Sequence, residues 1–261
     1  MNIVVICLDT FRADLVGADA NLGFVKTPNL DDFYKRSIVF ERAFGEGQPT
    51  LQMRRGFFTG RRSFPWRYNF DRRGHTHHAA GWHKIPPEQD TLAEILLSRG
   101  YFTGLVADTY HMFKPTMNYT RGFLTWEFIR GQEMDAWRGG TIDMIADELA
   151  RHSRWRRGEP VTDQRLLRYL WNQRGRQLEE DYSMTRVFRT AAQWIEDNHT
   201  NTPFFLWIDE FDPHEPWDPP KSYADLYYPD YDGPDFILPI NDGLSDAEEA
   251  RTRALYYGEA T

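Results

Sequence analysis

Three apolar runs divide the chain, and each ends in a turn that carries acids. Asn2-Ile-Val-Val-Ile-Cys-Leu8 is a continuous, β-branched run, which predicts a strand buried on both faces of a parallel sheet. Residues 101–107 and 203–209 repeat the pattern and end at Asp108-Thr-Tyr-His111 and Glu210-Phe-Asp-Pro-His214. A shorter run, residues 37–40, predicts a short strand. Helical signals alternate with these runs. Pro28 sits in the first turn of a helix that starts near Thr27, and residues 90–100 read as a capped helix closed by Gly100. Residues 184–196 carry an apolar stripe through Phe188, Ala192 and Ile195, and a capping box opens a helix after Ser245. Residues 141–185 read as a charged, mostly helical insertion. Residues 113–140, rich in Trp and Gly, show no period, and residues 223–239 read as an aromatic, Pro-rich loop. Strand and helix in alternation predict one α/β domain over residues 1–261, with a largely parallel central sheet and helices on both faces.

The chemistry gathers after the strands and in the segment Thr50-Leu-Gln-Met-Arg54-Arg-Gly-Phe-Phe-Thr-Gly-Arg61. If a helix starts at Thr50, the spacing of four puts the Thr50 hydroxyl and the Arg54 guanidinium on one face. The free N–H groups of that first turn point to the same place, as transfer of a charged phosphoryl or sulfuryl group requires. An ordinary N-capped surface helix has the same pattern. Asp9 follows the first strand, where a metal-binding carboxylate stands in open α/β sheets, and it equally suits a helix N-cap. His111 lies at the end of the second strand and His214 beyond the third. His75, His77, His78 and His83 lie in a loop-like stretch, residues 63–87; with no Cys partner or helical spacing they read as a solvated loop or substrate rim rather than a zinc site. Arg154-Trp-Arg-Arg157 reads as a solvated basic island, with an acidic partner as the alternative.

Composition narrows the classes. The 261 residues are 41% hydrophobic and 15% aromatic, which suits a globular protein, and the net charge of −8 argues against a nucleic-acid binder. Cys7 is the single cysteine, so no intramolecular disulfide forms. The first apolar run lacks a basic leader and is too short for a signal peptide or a span, so the expectation is a cytoplasmic protein without a membrane partner.

Taken together, the opening strand with Asp9, Thr27-Pro-Asn-Leu30, the Thr50-to-Arg61 segment, Thr91-Leu-Ala-Glu-Ile-Leu with Gly100-Tyr, and Pro203-Phe-Phe leading to Asp212-Pro-His214-x-Pro216 resemble the sulfatase branch of the alkaline phosphatase superfamily, in its N-terminal half. The resemblance implies a mixed sheet sandwiched between helices and a divalent metal (calcium, manganese or zinc) at the strand ends. It gives Asp9 a metal-ligand role, shared with positions 10 and 50. Thr50 becomes the nucleophile, Arg54 the group that holds the anion, and His111 and His214 the contacts to the ester or its departing oxygen.

The chain departs from the family pattern at several of these positions. The family's Cys or Ser, oxidised to formylglycine, is Thr50, and Gln52 stands where its Pro would be. Thr10 replaces a second Asp, and Thr109 replaces a lysine two residues before His111. A formylglycine hydrate expels sulfate by collapsing to the aldehyde; a threonine ester must be cleaved by water at phosphorus or sulfur. A phosphate or phosphonate ester is therefore favoured over a sulfate ester. The later acidic metal ligand of the family has no counterpart; Asn241-Asp242-Gly243 reads as a turn, so the chain is expected to be a fragment or a half-site. The expected function is hydrolysis of a small-molecule sulfate or phosphate ester; the rival is a non-catalytic relative that binds an anion or a partner.

Overall fold

The computed structural model describes residues 1–17, 22–62, 81–114, 117–240 and 242–261. In chain order its elements are β1 (Ile3–Leu8), α1 (Pro28–Lys35), α2 (Thr50–Thr59), α3 (Leu92–Ser98), β2 (Phe102–Ala107), α4 (Tyr110–Phe113), β3 (Thr125–Phe128), α5 (Ala146–His152), α6 (Gln164–Gln173), α7 (Ser183–Asn198), β4 (Phe204–Glu210), α8 (Lys221–Ala224) and α9 (Asp246–Ala260). They fall into two compact units. The first comprises Met1–Cys7, Glu41–Ile129 and Arg186–Glu210; the second comprises Leu8–Phe40, Arg130–Thr185 and Phe211–Thr261.

The first unit is built on a sheet of order β1-β4-β2-β3, in which β2 runs parallel to both β4 and β3. Side chains alternate across the strands, so each strand feeds two cores. Leu105, Ala107, Phe205 and Trp207 face one way and pack with Leu51 and Phe58 of α2 and Ala93 of α3. Val106, Phe204, Leu206 and Ile208 face the other way, against Val187 and Ala191 of α7. All seven residues of β4 are buried, which is why its sequence is an unbroken apolar run up to Asp209. The expected α/β fold, with a parallel sheet flanked by helices, is observed.

Two expected strands differ. At β1 only alternate residues turn inward: Ile3, Val5 and Cys7 pack on the core, whereas Val4 and Ile6 are 44% and 54% exposed. The strand lies at an edge of the sheet, and its outward face is bare among the described residues. Residues 37–40 form no strand; Ile38 and Phe40 are exposed coil, because an apolar run gains no ladder bonds without a neighbouring strand. Conversely, β3 lies in the stretch that showed no period, and three of its four residues are exposed.

The starts of α3 and α9 follow their capping chemistry. Thr91 Oγ1 accepts from the Glu94 N–H (3.2 Å) and Glu94 Oε2 accepts from the Thr91 N–H (2.8 Å), which completes the capping box of α3. Ser245 and Glu248 do the same for α9. In the second unit, α5, α6 and α9 pack around Ile145, Leu149, Leu167, Leu170, Ile237 and Leu255. There the buried Arg251 is held by Asp235 (2.6 Å) and Asp225 (2.9 Å). Among the described residues no helix is long and apolar enough to cross a membrane.

Gly104 on β2 faces the Trp194 indole, and a Cβ placed there would lie 2.4 Å from two ring carbons. Gly104→Ala is expected to lower the unfolding free energy by about 1–3 kcal/mol through overpacking. Gly139→Ala, where a Cβ meets nothing within 4 Å, should stay within about 0.5 kcal/mol. Urea denaturation of the two variants checks both values.

Candidate functional site

Pro49 occupies the N-cap of α2, so Thr50 is its first helical residue and Gly60, in the left-handed region at φ 62°, closes it. The helix turns Leu51 and Phe58 into the core, where the Phe58 ring meets Trp207 edge-on at 4.8 Å. Thr50 and Arg54, one turn apart, are only 5% and 3% exposed. At the first position the Thr50 hydroxyl has no preceding turn to bond to, and it hydrogen-bonds to none of the described residues. The Tyr119 hydroxyl donates to the Leu51 carbonyl (3.0 Å) and pins this first turn. Arg55 reaches the other way, donating from Nε to the Gly81 carbonyl (3.2 Å) and from Nη2 to the His83 carbonyl.

Arg54 meets a carboxylate of the protein itself. Its Nη2 donates to Asp209 Oδ1 (3.0 Å) and its Nε lies 3.2 Å from Oδ2, with Asp209 fully buried near the end of β4. Thr109 Oγ1 donates to Asp209 Oδ1 (2.6 Å) and Trp207 Nε1 to Oδ2 (2.9 Å). Two residues past Thr109, on α4, His111 is buried with the Trp82 ring edge-on at 4.9 Å. The first unit thus brings Thr50, Arg54, Asp209, Thr109 and His111 onto α2 and the carboxyl ends of β2 and β4.

Asp9, Thr10 and His214 belong to the second unit. Asp9 is buried in the turn after β1; the next helical turn, Ala13–Leu15, is capped at Arg12, so Asp9 is not an N-cap. Thr10 is exposed at φ 54°, an unusual backbone for a β-branched residue, and its carbonyl accepts from Tyr256 Oη (3.0 Å). The His214 ring stacks on Phe211 at 4.2 Å and donates from Nδ1 to the Glu215 carbonyl (2.8 Å). Asp212 accepts from Gln132 Nε2 (2.6 Å). His75, His77, His78 and Asn241 lie outside the described residues.

The sequence profile described as Sulfatase matches residues 1–257. This chain belongs to the sulfatase family. An arylsulfatase of Clostridium perfringens (strain 13 / Type A) is 26% identical over 288 residues, an alignment that covers 100% of this chain and 56% of that protein. The crystal structure of the phosphonate monoester hydrolase of Agrobacterium radiobacter superposes with a TM-score of 0.62 at 16% identity, covering 99% of this chain and 56% of that one. Ps i-CgsB in complex with k-i-k-neocarrahexaose gives 0.58 at 19% identity, covering 99% and 51%. The chain spans about half the length of the relatives it matches. At these identities the structural likeness shows the fold alone.

The family implies a divalent metal, but the described residues do not make up its donor set. Among them no group of three or more His, Cys, Asp or Glu side chains is placed to hold a metal ion. Asp9, Thr10 and Thr50 bring one carboxylate and two hydroxyls, whereas a hard cation such as calcium takes roughly six to eight oxygen ligands. Asp209, which meets Arg54, already accepts from three side chains.

Sequence reasoning singled out Arg54 and His111 but missed Asp209, Trp207, Arg55 and Tyr119 as their supports. The one available signal was the acid at the end of an otherwise apolar strand. Burial pushes the Tyr119 phenol up to about 12, against the pull of Arg55 and Arg54. A raised phenol favours the neutral form in the folded state, so this stability is present below pH 10.0 and lost as pH rises through about 12. Tyr119→Phe should remove that loss from the alkaline unfolding curve and delete one late step from the tyrosinate absorbance titration.

Proposed function

We propose that this chain carries the nucleophile-bearing part of a sulfatase-family ester hydrolase. Its substrate is a small-molecule sulfate, phosphate or phosphonate ester. What carries the proposal is Thr50: a buried residue whose hydroxyl bonds to none of the described residues, at the first turn of α2 and one turn from Arg54. The Thr50 oxygen attacks phosphorus or sulfur as the bond to the departing oxygen breaks. Thr50 loses its proton and the departing oxygen gains one. Water then cleaves the threonine ester, which restores the hydroxyl. Arg54 and the leading amides of α2 offset the negative charge of the oxygens that do not react. His111 is the proton donor to the departing oxygen on the first unit.

Threonine cannot release the group by collapsing to an aldehyde, which supports a phosphoryl or phosphonyl centre over a sulfuryl one. The family roles of Asp9, Thr10 and Thr50 toward a divalent cation, and of His214 toward the departing oxygen, belong to the same proposal with no geometry attached. No step is assigned to a metal.

A second possibility, an anion- or partner-binding relative without turnover, is favoured by one observation. The Arg54 guanidinium is already engaged by the buried carboxylate of Asp209. Metal content and turnover of an aryl phosphate diester and an aryl sulfate, measured on this chain and on any longer gene product that contains it, separate the two. Thr50→Ala is expected to lower diester turnover by about a thousandfold or more. A preference for the sulfate overturns the choice of substrate, and a longer product that binds anion without turnover establishes the binding-only relative.

A further inference from the structure

None of the roles above uses Asp209, yet three side chains of the first unit converge on it. The β2–β4 register sets Asp209 opposite Ala107, and the Asp108 N–H donates to the Asp209 carbonyl (3.2 Å). Thr109 and, two residues later, His111 therefore leave the sheet beside it. The carboxylate takes the Thr109 hydroxyl at 2.6 Å, the Trp207 indole N–H at 2.9 Å and the Nε–Nη2 edge of Arg54 at 3.2 and 3.0 Å. Trp207 and Thr109 fix the rotation of the carboxylate, and the carboxylate fixes the plane of the guanidinium. Among the described residues Arg54 is the only cation on it.

We propose that Asp209 is the positioning residue of the α2 site. It holds the Arg54 guanidinium in one orientation and, through Thr109, couples α2 to the turn that carries His111. The neutral hydroxyl at 109 is part of the device. It saturates the carboxylate without a second positive charge that would compete with Arg54 for it. The functional consequence rests on Arg54 being the anion holder; the fixing of Arg54 does not.

The test uses this chain, with inorganic sulfate as the probe. Hydrogen exchange at the Arg54 Nε–H and the position of the Trp207 indole resonance are read by NMR, assigned with Arg54→Lys and Trp207→Phe, and sulfate affinity is read by calorimetry. Asp209→Asn keeps the side chain's shape and removes its charge. It is expected to speed Arg54 Nε–H exchange by about tenfold or more, move the indole signal and weaken sulfate binding by about ten- to a hundredfold, since hydrogen bonds to charged groups are at stake. Thr109→Val should give smaller changes in the same direction, and Thr109→Ser should restore wild-type values. A folded Asp209→Asn with unchanged exchange and affinity overturns the proposal. If that variant does not fold, Thr109→Val decides: values equal to those of Thr109→Ser overturn the proposal, and faster Arg54 Nε–H exchange with weaker sulfate binding supports it. Wild-type protein that binds no sulfate overturns the anion-holding role of Arg54, while the exchange rates still decide whether Asp209 positions it.

Discussion

A buried arginine–carboxylate pair is the constraint on which the first unit depends. Arg54 and Asp209 are both removed from water, and a charge so placed is tolerated only when it is paired and its remaining hydrogen bonds are satisfied. Asp209 meets that demand with Thr109, Trp207 and Arg54 from three segments: the exit of β2, β4 itself and α2. Loss of one partner from such a pair typically costs about 3–5 kcal/mol, because the other charge stays buried and unmatched. α2 cannot shift along the sheet without breaking it. A hydrophobic pair of equal volume could hold the same elements together. What the ionic pair adds is direction: a planar guanidinium kept at a fixed angle beside the first turn of α2.

The sheet makes that placement possible. Because β4 is buried on both faces, its end is the one place on that strand where a polar side chain finds partners from neighbouring loops. Alternation sends Phe205 and Trp207 toward α2, and Asp209, two residues further, follows the same direction. The Trp207 ring thus packs against Phe58 while its N–H reaches Asp209. One indole serves both the core and the site.

The elements whose signals are local were legible from the sequence. The Thr91–Glu94 box, the Ser245–Glu248 box and the apolar runs of β2 and β4 each carry their cause within a few residues. β3 was not legible, since a four-residue, mostly exposed strand has no hydrophobic period to read. Residues 37–40 failed in the opposite sense: they have the composition of a strand and no neighbour among the described residues. At the site, Thr50 and Arg54 stood out because they share one helix. Asp209 did not, because its partners lie 100 and 155 positions away in the chain. No spacing rule joins residues that only the register of β2 on β4 brings together.

The three threonines at family positions also belong together chemically. Relative to the family pattern, Thr10 removes one negative charge and Thr109 removes one positive charge, so the pair of changes leaves the formal charge of the motif set unaltered. Thr109 has a visible reason to be neutral: its hydroxyl is spent on Asp209, and a lysine there would divide the carboxylate between two cations and loosen its hold on Arg54. Thr50 is the reverse case, a hydroxyl kept out of every hydrogen bond among the described residues although it is buried. A serine-like cap bond was available to the same residue type one position earlier in the helix. The helix begins instead with Pro49 at the cap and Thr50 inside the first turn, an arrangement that forgoes the cap bond and leaves the Thr50 hydroxyl without a hydrogen bond among the described residues.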